Sequence, residues 1–283
     1  MTTLFRKVYT REPLLRHPAV VLQEIARDVW VGRELAWRLF LRDLRASYRQ
    51  TFLGYIWVFL PPLAAAAAFI FMQWQGITRI RETGIPYAAF ALLGTLLWQI
   101  FVDSLTSATA SISAAKPMLV KINFPREAVL MAGLSMVFFN AAVRLLMMTA
   151  VVAFWQLPVG PSLFFLPVAV FALILCGFAL GLFVAPFSSL YGDVARAIPL
   201  AAGLWMLLTP VIYPPQTQGI AGWLATWNPL SPLIITAREC STGQTLSVLG
   251  PFSLVMAASL LLLLLGLLGF RISMPHLIAR MGG

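Results

Sequence analysis

Apolar residues fill six stretches of this chain almost without a break, at about 53–75, 86–110, 128–154, 161–185, 197–213 and 247–270. A helix needs roughly 20 such residues to cross a bilayer core of ~30 Å. The pattern therefore predicts an all-α polytopic membrane protein with six transmembrane helices. Segment five is the shortest and is interrupted near Pro210. Segment one carries Pro61 and Pro62, which predict a kink, because proline removes a backbone donor and its ring strikes the preceding turn. Gly177 and Gly181 form a G-x-x-x-G on segment four. That pattern suits a close helix–helix contact, and it also arises by chance in apolar helices.

Before the first apolar stretch the periodicity changes. Arg38, Arg42, Arg45 and Arg49 recur at helical spacing, with Trp37, Leu41, Leu44 and Tyr48 on an adjacent stripe. A basic, aromatic amphipathic helix over 31–51 fits the membrane interface, and also fits docking to a partner. The predicted layout is a loosely structured cytoplasmic lead at 1–30, this helix at 31–51, a six-span domain at 52–272 and a cytoplasmic tail at 273–283.

Composition agrees. Sixty per cent of the 283 residues are hydrophobic, 11% are charged and the mean hydropathy is +0.87. Soluble domains carry about 25% charged residues, so a soluble globular protein is excluded. The net charge of +10 reads as basic loops beside anionic lipid, not as a nucleic-acid surface. The first 50 residues lack the apolar core of a signal peptide. With the N-terminus inside, sixteen of the twenty Lys and Arg fall in cytoplasmic segments, three (Arg79, Arg81, Arg238) fall outside, and Arg144 stays in the membrane. By the positive-inside rule both termini are then cytoplasmic.

Much chemistry is missing from the sequence. No G-x-x-x-x-G-K-[ST] loop is present, so no ATP site of that kind is expected. His17 and His276 lie far apart, Cys176 and Cys240 share no short spacing, and no metal-ligand cluster is present. Inside the spans only Asp103 and Arg144 ionise. Taking segment two to end near residue 110 puts the two at depths differing by roughly 14 Å, which argues against a direct pair. A place on the transport path, structural pairing with backbone or Asn140, and snorkelling of Arg144 all remain open.

Three stretches stand out as too polar or too broken for their surroundings. The 17 residues at 111–127 mix Lys116, Lys121, Phe124, Arg126 and Glu127 with apolar residues, which suits either a solvated loop or a helix docking to a cytoplasmic partner. The second is 186–196, with Asp193 and Arg196. The third is 210–246, rich in Pro, Trp and Tyr. Such rings suit the interface belt, and their faces also stack on sugars.

Read together, RDLRASYRQTFLGYIWVFLPPL (42–63) and VKINFPREAVLMA (120–132) resemble the membrane subunits of bacterial ABC-type polysaccharide and polyol-phosphate exporters, which move O-antigen and teichoic acid chains. LYGDVARAIP (190–199), LWMLLTPVIYPP (204–215) and WNPLSPLIITARE (227–239) support the match. Gly192 stands where a charged residue is usual in that family, and the lead shows no match. The resemblance implies a homodimer in the bacterial inner membrane, bound to two copies of a separate ATPase that holds the ATP, so the chain itself needs no cofactor. It implies that the stripe Arg38, Arg42, Arg45 and Arg49 and the segment containing Lys116, Lys121, Phe124, Arg126 and Glu127 meet that ATPase. It further implies that part of 214–246 re-enters the membrane from outside. A polysaccharide path lined by aromatic rings would draw on Tyr55, Trp57, Trp98, Trp205, Tyr213, Trp223 and Trp227, with Asp103 and Arg144 as its charged members. A drug or small-lipid exporter of the same architecture and a glycolipid-modifying membrane enzyme are the other classes. The charge bias has a direct check. An impermeant thiol reagent applied to whole cells should label Ile80→Cys and Gln218→Cys but not Val8→Cys or Arg280→Cys; labelling at position 8 reverses the orientation.

Overall fold

The structure is a computed structural model and describes residues 18–49, 60–75, 84–122, 124–215 and 219–281. Among the described residues there are nine α-helices and one 3-10 turn, and no strand. They are α1 (Pro18–Arg49), α2 (Leu60–Trp74), α3 (Tyr87–Lys121), α4 (Glu127–Phe154), α5 (Leu166–Leu190), α6 (Gly192–Leu208), α7 (Gly219–Trp227), α8 (Leu230–Ser241) and α9 (Leu249–Met281), with the 3-10 turn Pro161–Phe165 leading into α5.

Four of these are long and apolar enough to cross a membrane: Tyr87–Leu119, Glu127–Phe154, Pro161–Leu190 and Leu249–Met274. They divide into inner and outer members. In the most apolar windows of α3 and α5, 78% and 72% of residues are buried within the protein, against 22% and 17% for α4 and α9. α3 and α5 therefore form the central pair, and α4 and α9 flank them with faces left for lipid or another chain. Described residues of segments one and five form helices of 15 and 17 residues. Pro61 and Pro62 are the second and third described residues of α2; the approach to them, where the kink was expected, lies outside the described residues.

Side-chain size explains the α3–α5 pair. A methyl group added at Gly177 would meet the Phe101 carbonyl at 2.7 Å, and one at Gly181 would overlap the Leu105 carbonyl. The G-x-x-x-G pattern is thus a true close contact, with helix backbones touching where no side chain intervenes. Around it, Leu93, Leu97, Phe101, Leu173 and Ala169 are fully or almost fully buried. α3 also carries Thr95, Ser104, Thr106, Thr109, Ser111 and Ser113. Each returns its hydroxyl to a carbonyl three or four residues back, so these hydroxyls do not seek partners in hydrocarbon.

Two helices extend beyond the expected limits. α3 does not stop near 110 but continues to Lys121, past Pro117. At 35 residues it is about 52 Å long, well beyond the ~30 Å hydrocarbon core. Most of the stretch 111–127 is therefore the projecting end of a transmembrane helix and not a loop. The described part of α1 is already helical from Pro18, thirteen residues before the expected start at 31. Ile25, Gly32, Ala36, Leu39 and Phe40 form its buried side, and Leu39 and Phe40 pack with Ala108, Ile112, Leu119 and Leu130 of α3 and α4. Leu41 and Leu44 are only partly covered, and Trp37 is exposed. The apolar stripe thus runs one position away from that expected, and it packs on protein.

The glycine contact gives a paired prediction. Gly181→Ala should lower stability by about 1–3 kcal/mol, the usual cost of overpacking. Gly203→Ala, in α6 with nothing within 4 Å of the added atom, should leave stability unchanged or raise it by about 0.5–1 kcal/mol. Thermal unfolding in detergent reads both.

Candidate functional site: charged clusters and an aromatic outer edge

Near mid-membrane, α3 and α4 are joined by charge. Arg144 donates through Nη1 to Asp103 Oδ2 at 2.6 Å, and Asn140 donates through Nδ2 to the same oxygen at 2.9 Å. The Arg144 side chain is 6% exposed and that of Asp103 24%. This corrects the expectation that depth keeps the two apart. Because α3 runs to Lys121, Asp103 lies 18 residues from its end, and Arg144 lies 17 residues into α4. Both are therefore roughly 26 Å from the turn that connects the helices. Asn140 and Arg144 are four apart on one face, so a single acid meets both. Arg144 Nε and Asn140 Oδ1 are buried without a hydrogen-bond partner, so the cluster is satisfied on one side only.

At the opposite end of α3 from Lys121, a second arginine organises the turn after α6. Arg238 of α8 is 6% exposed. Its Nη2 donates to the carbonyls of Pro210 at 3.0 Å and Val211 at 2.6 Å. Its guanidinium lies 3.8 Å from the Phe90 ring centroid, a cation–π contact. Gly94 makes this possible, since any side chain there would overlap the Val211 carbonyl and the guanidinium. Glu239 accepts from the Ser247 backbone N–H at 3.0 Å and from the Ser247 hydroxyl, fixing the approach to α9.

Asn228 joins the remaining pieces. It accepts from Trp205 Nε1 at 3.1 Å and from the Leu230 backbone N–H at 3.0 Å, and it donates to Thr209 Oγ1 at 2.8 Å. Trp205 stands edge-on to Phe101 with centroids 5.7 Å apart, and Phe101 packs on Trp98 at 5.2 Å. The end of α6 and the α7–α8 junction are thereby tied to the central helix.

The aromatic residues separate by exposure. Trp98 is 2% exposed and belongs to the protein's own core, so it offers no ring face to a path. Trp205 and Tyr213 are half-buried, and Tyr213 donates its hydroxyl to the Leu207 carbonyl at 3.0 Å. Trp223 and Trp227 are 63% and 74% exposed, four apart on α7, with centroids 6.5 Å apart. Tyr55 and Trp57 lie outside the described residues.

The positions expected to meet a partner also separate. Arg38 pairs with Glu34 at 2.6 Å on the exposed side of α1, and Arg45 is exposed. Arg42 reaches both Asp43 and the sulfur of Met118 on α3, the latter at 3.3 Å. The basic stripe and the projecting end of α3 therefore form one surface, on which Lys116, Lys121 and Ile122 are exposed. Phe124 packs partly against the protein's own core. Glu127 is buried and accepts from Arg271 Nη1 at 3.1 Å, so it faces inward. The Arg49 side chain lies outside the described residues. Arg238, Asn228 and Arg271 were not among the expected site residues. Their signal was an ionised or amide side chain beside apolar runs, with no spacing that names its partner.

Known sequences settle the class. The pattern of the ABC-2 type transporter family matches residues 34–241. The chain belongs to that family. As an ABC-2 type transporter chain it is also similar to individual relatives. An O-antigen export system permease protein, RfbA, from Myxococcus xanthus is 26% identical over 244 residues, covering 84% of this chain and 92% of the relative. RfbA from Klebsiella pneumoniae is 26% identical over 204 residues, covering 70% and 76%. The capsule polysaccharide export inner-membrane protein BexB from Haemophilus influenzae is 24% identical over 243 residues, covering 81% and 87%. Of the residues in these clusters, all but Ser247 and Arg271 fall inside the region that matches the family pattern.

Breaking the central pair has a defined cost. Asp103→Asn leaves Arg144 charged and buried, and should destabilise the protein by about 3–5 kcal/mol. Asp103→Asn combined with Arg144→Gln should cost less than that single change. A double-mutant cycle on detergent unfolding measures the difference; strict additivity would show that the pair is not coupled.

Proposed function

We propose that this chain is the permease subunit of an ABC exporter that moves a lipid-linked polysaccharide, such as O-antigen, capsule or a teichoic-acid-like polymer, across the bacterial inner membrane. The observation that carries the reading is the family match, joined to relatives named for O-antigen and capsule export that align over 70–84% of the chain. In this reading two copies form a homodimer, and each binds one copy of a separate ATPase that holds the ATP. Each protomer has six spans and cytoplasmic termini, and α7 and α8 form the re-entrant outer element.

The chemistry assigned to the chain is positioning, not bond-making. Arg38, Arg42 and Arg45 on α1, with Lys116, Lys121 and Arg126 beside them, offer positive charge to an acidic groove of the ATPase, and Ile122 supplies an apolar anchor. Glu127 belongs to the same end of the molecule but is turned inward onto Arg271, away from that charged surface. At the outer side, a glycan needs walls that hold it weakly and at many points. The exposed pair Trp223 and Trp227, four residues apart, presents two rings for stacking on sugar C–H faces. Asp103 keeps part of its carboxylate exposed and is the one acid at mid-membrane in the described spans, while Arg144 neutralises it.

Deleting the gene and extracting glycolipid from cytoplasmic and surface pools tests the reading. The expected result is lipid-linked glycan trapped inside and lost from the surface, restored by the wild-type gene. Trp223→Ala with Trp227→Ala should lower surface glycan while protein level and ATPase copurification stay constant. Arg126→Glu should instead weaken copurification. Unchanged glycan pools in the deletion strain would remove polysaccharide as the substrate.

A further inference from the structure

We infer that Arg271, through Glu24 and Asp28 of α1, is a positioning residue that carries motion of the cytoplasmic helix α1 into the transmembrane helix α9. This rests on the export reading above. Arg271 lies in the C-terminal part of α9. Its Nη2 donates to Glu24 at 2.7 Å and to Asp28 at 2.9 Å, and its Nη1 donates to Glu127 at 3.1 Å. One guanidinium thus holds three elements: the first half of α1, the first residue of α4 and the end of α9. The Arg271 side chain is 11% exposed and Glu127 9%, so water screens that pair poorly; Glu24 and Asp28, 42% and 26% exposed, face more water, and their links to Arg271 are the more readily loosened.

The geometry gives the two kinds of pair different duties. Glu127 opens α4, where a carboxylate also complements the positive end of the helix dipole. Together with Arg271 it fixes α9 to α4, two elements of the transmembrane body. Glu24 and Asp28 are one helical turn apart on α1 and face the same guanidinium. They fix α9 to a helix whose other end presents the exposed Arg38, Arg42 and Arg45. α1 has 32 residues and is therefore a rod of about 48 Å. A displacement at its exposed basic end must be felt at Glu24 and Asp28. From Arg271, α9 runs back across the membrane, with Gly266 against Leu182 of α5, and ends next to Ser247, which Glu239 holds. This route reaches the outer element without passing through α3. A planar fork of five donors suits three carboxylates, which a lysine ammonium could not serve in the same plane.

The test separates the two links. Glu24→Gln with Asp28→Gln removes the charge link between α1 and α9, while α1 stays packed on α4 and the buried Arg271–Glu127 pair stays whole. Glu127→Gln does the converse. The permease is copurified with its ATPase and assayed in proteoliposomes for ATP hydrolysis, and surface glycan is measured in cells. The double variant should keep wild-type protein level, copurification and ATP hydrolysis, while surface glycan falls about tenfold, a loss on the scale of one partly buried charge contact. Glu127→Gln should lower the unfolding temperature yet keep the wild-type ratio of export to hydrolysis. Arg271→Lys, which retains one charge contact, should fall between wild type and the double variant. The inference is overturned if the double variant exports at the wild-type ratio, or if its export falls only in proportion to its protein level. If the wild-type chain binds no ATPase, the export reading itself fails, and this inference with it.

Discussion

A charge placed in hydrocarbon must find its partner within the protein, because neither lipid nor bulk water will supply one. Here that requirement fixes the register of α3 against α4. Asp103 is useless at any depth other than that of Asn140 and Arg144. The pair in turn sets where α3 leaves the membrane, how far its end projects, and which residues meet α1. The close glycine contact then docks α5 on the same part of α3, at Phe101 and Leu105, on either side of Asp103 in sequence. Polar pairing on one face and close backbone packing on the other hold the central helix in a single position.

The same logic recurs at both ends, with arginine as the connector. Arg238 takes up carbonyls freed where α6 ends, and Arg271 gathers carboxylates from two helices. A guanidinium suits these sites because it stays charged, makes several hydrogen bonds in one plane and stacks on aromatic rings. Between these connectors the apolar helices need only pack.

Much of the architecture was legible in the sequence, because a transmembrane helix declares itself by an unbroken apolar run. The resemblance in 42–63 and 120–132 likewise pointed to the family that the chain belongs to. What remained hidden shares one cause. Hydropathy marks where a helix enters the bilayer, not where the helix ends. Lys116, Pro117 and Lys121 look like a loop, yet α3 runs through them to Lys121. Ending the helix at 110 put Asp103 too near the surface and separated it in depth from Arg144 by about two and a half turns. The α1 start failed in a similar way, since residues 18–30 are helical without an unbroken apolar run to announce it. Arg238 and Arg271 were counted for their sign alone; partners 27 and 247 residues away leave no local pattern.

The helices also differ in how firmly they are held, and this bears on motion. α5 buries Ala169, Leu173, Ala179 and Leu182 completely, whereas α6 buries only Ile198 and Ala202. Leu200, Leu204, Leu207 and Leu208 of α6 stay exposed, so lipid or another chain must cover them. Elements with few buried contacts open at low free energy, and those sharing a core open only with the whole domain. α6 is nevertheless not free at its end, because Trp205, Thr209 and Asn228 tie it to the α7–α8 junction. A helix loosely held along its length but bolted to an outer element can tilt without losing that element. The end of α6 is also set edge-on against Phe101 of α3, so the freedom left to α6 lies along its exposed face and not at its junction with the central helix.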